Sequence, residues 1–126
     1  MPFTTLLHRA KEVLQPRSLT ANTHVASVAA ALITVDGNIY TGVCIDTPSS
    51  LGCCAEHSAI CAMITAGESH ISHIVAVGEE SIMPPCGRCR QLIRQVDDKN
   101  MDTLVLVKEG EAVPLKALLP YDYLDG

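Results

Sequence analysis

Tryptophan is absent, phenylalanine occurs once and tyrosine three times, so aromatic residues make up only 3% of the sequence. That excludes an interior built on rings. With 48% apolar residues, the core has to be assembled from Ala, Val, Ile, Leu and Met. Basic residues are also scarce. Lys and Arg number 9 against 14 Asp and Glu, and the formal charge of −5 offers no general attraction to a phosphate backbone, so no polymeric nucleic acid is expected as partner. Long apolar runs are missing too: Val28 to Val35 falls well short of the roughly 20 residues a membrane span needs. The N-terminus lacks a basic segment followed by an apolar one, which reads as a cytoplasmic chain with no membrane partner.

The 126 residues suit one domain. Leu6, Leu7, Ala10, Val13 and Leu14 fall at helical spacing in a segment from Thr4 to Leu14 that Pro16 ends. Val28 to Val35 and Asn38 to Cys44 read as strands joined at Asp36-Gly37, a dipeptide suited to a tight hairpin. After a loop at Pro48 to Gly52, Ala55 to Thr65 suits a helix that stops at Gly67. Ile74 to Val77 and Leu104 to Val107 are wholly apolar, as strands covered on both faces would be. Between them a helix is expected from about Gly87 to Gln95, and a short last one from Leu115 to Leu119. This alternation predicts a three-layer α/β/α sandwich whose later strands are parallel.

Six cysteines in such a chain point to metal or thiol chemistry before disulfides. Cys54-Ala-Glu56 and Pro85-Cys-Gly-Arg-Cys89 each open a helix after a loop, where the partial positive charge of unpaired N–H groups favours thiolate. Cys86 and Cys89 lie one helical turn apart. With Cys54 as third ligand they would leave one position of a tetrahedral zinc open, the pattern of a catalytic site. Glu56 is turned roughly 200° from Cys54 on a regular helix, away from co-ligation and toward the role of proton carrier beside the metal. Three thiolates on one dication leave about −1, and His57, Arg88 and Arg90 are the candidates to offset it. The set matches the Cys-x-Glu plus Pro-Cys-x-x-Cys signature of zinc deaminases.

These residues resemble the cytidine deaminase family, in particular its small homotetrameric branch and the related blasticidin S deaminases. The likeness runs through Val28 to Gly37, Tyr40-Thr-Gly-Val43, Cys54-Ala-Glu56, Pro85-Cys-Gly-Arg-Cys-Arg-Gln91 and Leu118-Leu-Pro120. It implies one domain over residues 1–126 with a mixed five-stranded sheet in order 2-1-3-4-5, strand 1 antiparallel. It further implies one zinc per subunit, hydrolysis of a cytosine-type amine, and a homotetramer whose active sites neighbouring subunits complete. Ala55 and Pro85 carry over as substrate-binding positions, and Tyr123 as a contact shared with the blasticidin-type enzymes. Ala26 stands near a position that is usually aromatic, and Cys44-Ile45-Asp46 replaces the Asn-x-Glu that holds ribose. A thiol is a weak hydrogen-bond partner where an amide donates and accepts, so the sugar side of the pocket is altered.

Other readings remain at this point. Cys86-Gly-Arg-Cys89 could serve as a thiol-disulfide redox pair, which leaves Cys54 and Glu56 without a role. A zinc-holding protein that binds a ligand without turning it over would keep the same residues. Cys53 could replace Cys54 as a ligand, though only Cys54 has the glutamate at the right offset. Cys61, Met63 and Met83 read as packing residues, His8, His24, His70 and His73 as surface or structural, and Arg94 carries no functional signal.

Overall fold

The structure is a computed structural model that describes residues 2–125. Its elements run α1 (Pro2–Val13), β1 (Arg17–Thr20), β2 (Thr23–Thr34), β3 (Ile39–Asp46), α2 (Ala55–Thr65), β4 (Ile71–Val77), α3 (Gly87–Val96), β5 (Leu104–Lys108), β6 (Glu111–Pro114) and α4 (Leu115–Leu118). The sheet path is β1-β2-β4-β5-β6, with β3 on the other edge of β2. Counted from β2, this is the expected order 2-1-3-4-5 with the first strand antiparallel to both neighbours. Two features differ from the sequence reading. An extra strand, β1, pairs antiparallel with the first residues of β2. Only β4 and β5 run parallel, because Glu109-Gly110 folds β6 back on β5 as a hairpin.

Both faces of the sheet are covered, which explains the apolar runs. Ala29, Ala31, Val75 and Val77 point toward Leu6 and Ala10 of α1, while Ala30, Leu32, Ile74 and Ala76 point toward Ala59, Ile60, Met63 and Ile93 of α2 and α3. Successive strand residues alternate between the two layers, so β2 and β4 have no polar face to show. Each fully buried Leu or Ile contributes about 1.5–3 kcal/mol relative to an exposed one. Small side chains let the layers approach closely. A Cβ at Gly42 of β3 would collide with the backbone of Ala55 and Ala59, so glycine is what allows α2 to lie against the sheet.

Asn100, fully buried, joins three segments: it accepts from the Ile71 amide at 2.8 Å and donates to the Ser69 and Ile93 carbonyls at 3.0 and 2.9 Å. This ties the end of α3 to the start of β4. Asn100→Ala should strand a buried amide and a buried carbonyl, lowering unfolding free energy by about 3 kcal/mol in a urea titration.

Arg94, without a signal in the sequence, forms the other cross-link. Its guanidinium pairs with Asp98, with Asp122 at 2.7 Å and with Asp125 at 2.9 Å, and the Asp122 side chain is fully buried. Burial pushes the Asp122 carboxyl up, but the Leu124 amide, Arg94 and Gln91 together hold it below the usual carboxylate range. A depressed folded value means stability present above the unfolded value of about 4 and lost as pH falls through the folded one. Thermal midpoints measured from neutral to acid pH should therefore fall more steeply for the natural protein than for Asp122→Asn.

Candidate active site

Cys54 and Cys86 are N-cap residues in extended conformation, with φ/ψ of −77/158° and −70/171°. Neither is on its helix proper. This is why Cys54 and Glu56 line one cavity despite their angular separation on a regular helix: the chain turns into α2 between them. Cys89 lies on the first turn of α3, and the three sulfurs are within 4.8 Å of one another, with Cys54 and Cys86 Sγ atoms 3.4 Å apart. Zinc–sulfur bonds of about 2.3 Å at tetrahedral angles separate sulfurs by roughly 3.8 Å, so this donor set fits one zinc per subunit.

The electrostatics favour a cation in the same place. Burial, followed by Glu56 and the neighbouring sulfurs, pushes the Cys89 thiol far up. Burial and Cys86 likewise raise Cys54. At Cys86 burial opposes ionisation, but the amides of Cys89 and Arg88 at the start of α3 and the other two thiols bring it below its ordinary value. The helix-terminus effect expected at both motifs thus prevails at only one sulfur. Three packed thiolates repel one another, and a dication removes that penalty.

Glu56 is 6% exposed, its Oε1 3.9 Å from Cys89 Sγ, and burial pushes its carboxyl up. Cys53 is not in the cluster; its sulfur is 3.4 Å from Ser58 Oγ.

The cavity, about 510 Å³, is lined by Cys54, Cys86, Glu56 and Arg88 together with Ser27, Val28, Cys44 and Asp46. Ala55 also lines it. Other sequence candidates lie elsewhere. Ala26 is fully buried with φ of 64°, in a bulge where residues 26–28 of β2 stand opposite Cys44 alone, so Ser27 and Val28 reach the cavity in its stead. Pro85 is buried beside Glu56, Val105 and Leu106, and it is Pro84 that borders the main cavity. Tyr123 is 70% exposed, donating to Gln95 at 3.1 Å, outside this cavity of its own chain.

Arg90 donates to the Pro85 carbonyl at 2.8 Å and the Leu118 carbonyl at 3.2 Å, holding the loop that carries Cys86 instead of approaching a sulfur. His57 is half-buried, with an Nδ1 that finds no hydrogen-bond partner among the described residues. Cys61 is exposed and Met83 is 40% exposed at the cavity rim, against the packing roles read from sequence. Met63 is fully buried as expected.

The family model for the cytidine and deoxycytidylate deaminase zinc-binding region matches residues 4–105. This chain belongs to that family. It is similar to a cytidine deaminase of Mycobacterium tuberculosis, 36% identical over 69 residues, a match covering 53% of this chain and about half, 52%, of that relative. A cytidine deaminase of Sporosarcina psychrophila is 32% identical over 97 residues, covering 74% of this chain and 71% of the relative. Among solved structures, the Mycobacterium leprae cytidine deaminase superposes with a TM-score of 0.79 at 28% identity, covering 95% of this chain and 98% of that one.

Zinc content checks the donor set. Cys89→Ser should lose stoichiometric zinc, measured by atomic emission on the purified protein, and Cys53→Ser should retain it.

Proposed function

We propose that this protein removes the exocyclic amino group of a cytosine-type ring by hydrolysis, releasing ammonia, with a nucleoside as substrate: cytidine, deoxycytidine or an analogue such as blasticidin S. The observation that carries this reading is a buried carboxylate, Glu56, in the same cavity as Cys54 and Cys86, whose sulfurs lie with that of Cys89 close enough to share one metal. When bound, zinc would supply the Lewis acidity that makes water a nucleophile at neutral pH. The remaining work falls to this chain's residues. Cys54, Cys86 and Cys89 would hold the metal and leave one face open to the cavity. Glu56 would carry one proton of the attacking water to the ring nitrogen and then the second proton of that oxygen to the departing amine. Its burial suits that task, since a raised carboxyl pKa makes the protonated form accessible. Arg90 would keep Cys86 in place through the Pro85 carbonyl.

Asp46 and Ala55 would contact the substrate. The family resemblance supports a cytoplasmic homotetramer, acting as a single-domain subunit on a small molecule and not on polymeric nucleic acid or at a membrane. Among the described residues no helix is long and apolar enough to cross a membrane. The redox-pair alternative is disfavoured by the third sulfur beside Cys86, since a two-cysteine exchange needs neither Cys54 nor Glu56.

Glu56→Gln should keep its zinc and lose about 10²- to 10⁴-fold in ammonia release from cytidine. Retained turnover would remove Glu56 from this role. Zinc-loaded natural protein that deaminates no member of a panel of cytosine nucleosides and analogues would leave the silent zinc-binding protein as the surviving reading.

A further inference from the structure

The six thiols of this chain differ in what surrounds them. Cys89 is 1% exposed with its sulfur 3.9 Å from Glu56 Oε1, and Cys44 is buried with its sulfur accepting from the Val28 amide at 3.3 Å. The Cys53 sulfur is engaged with Ser58 Oγ at 3.4 Å, and Cys61 stands exposed on α2, outside the sulfur cluster. Cys86 is unlike the rest. It is exposed, it lines the cavity, and its Sγ lies 3.4 Å from that of half-buried Cys54.

A disulfide bond is about 2.0 Å long, so closing one between Cys54 and Cys86 brings the sulfurs together by roughly 1.4 Å. Both hang from N-cap residues in extended conformation, so side-chain torsions and the loops before them take up that movement. Cys89 sits inside the first turn of α3, shielded from an oxidant in the cavity. The link would join two helix starts that the aliphatic core already holds on one side of the sheet, so the fold survives it. The same two sulfurs thus have two mutually exclusive uses. Bound to a metal they are thiolates, and bound to each other they have no charge to offer it.

Resting on the reading of the three sulfurs as a metal site, we propose that Cys54 and Cys86 also form a redox switch. A peroxide oxidises the pair to a disulfide, which releases zinc and stops turnover until a dithiol reduces it. The exposed Cys86 thiolate attacks one peroxide oxygen, the O–O bond breaks, and the departing hydroxide takes a solvent proton to become water. The Cys54 thiolate then attacks the Cys86 sulfenic acid, forming the S–S bond and breaking S–O, and a second proton makes the second water. Two electrons pass from two thiolates to one peroxide. Zinc keeps one donor of three and leaves as the dication.

The test treats zinc-loaded natural protein with hydrogen peroxide, follows zinc release with a chromogenic chelator, blocks the remaining thiols and cuts the chain after Glu and Arg. Arg88 separates Cys86 from Cys89, and Glu56 and Glu80 separate Cys54 from Cys86, so the link joins peptide 18–56 to peptide 81–88. Fragment-ion masses, and persistence of the link in Cys53→Ser, assign it to Cys54. One zinc and two thiols should be lost per chain, ammonia release should fall in parallel, and dithiothreitol with added zinc should restore all three. Without zinc, Cys89→Ser should still form the link and Cys54→Ser should not. A link through Cys53 or Cys89, zinc retained in excess peroxide, or a loss that dithiothreitol does not reverse overturns the switch and leaves the deaminase reading standing. Natural protein that takes up no zinc before oxidation overturns both.

Discussion

Bringing three thiols together is electrostatically unfavourable once they ionise, and most of the architecture can be read as the means of holding them there. The sulfurs come from two separate loop-to-helix junctions, and their mutual placement depends on how α2 and α3 sit against one side of the sheet. Gly42 sets the approach of α2, Asn100 fastens the end of α3, and Arg90 braces the loop before Cys86. Each acts on backbone. A displacement of an ångström at any of them would move a donor atom out of range, because metal–ligand distances tolerate far less than core packing does.

The fold was legible wherever the pattern was local. Ala55–Thr65 could be bounded from sequence because a Pro-Ser-Gly loop precedes it and Gly67 follows. The metal candidates were legible because the spacing of Cys, Glu and Pro carries the chemistry by itself. β1 was not legible: all four of its residues are exposed, so it has no apolar alternation to detect. β6 is short and ends in proline, and only its pairing with β5 makes it a strand. Within α2 the run from Ala59 to Ile64 is unbroken apolar, so periodicity could not tell Met63, fully buried, from Cys61, exposed.

Partners distant in sequence were the least visible. Arg94 meets Asp122 across 28 positions, and nothing in either residue announces the other. On the cavity wall built from β2 and β3, Cys44 and Asp46 fall where the sequence put them, and only Ala26 was misplaced, by one or two residues, for a similar reason. A regular strand through Ala26 would alternate without interruption, whereas the irregular register between Val25 and Ala29 passes the cavity-facing positions to Ser27 and Val28. Such bulges occur next to functional sites because they re-aim side chains.

That bulge separates two kinds of change. The run from Ala29 to Ile33 is locked into the sheet by partners on both edges, while residues 26–28 hang off the ladder opposite a single neighbour. Residues could be added to or removed from the overhang, reshaping the chamber, with the interleaved aliphatic layers behind it keeping their alignment. A scaffold of this kind can diversify what it admits at little risk to its own folding.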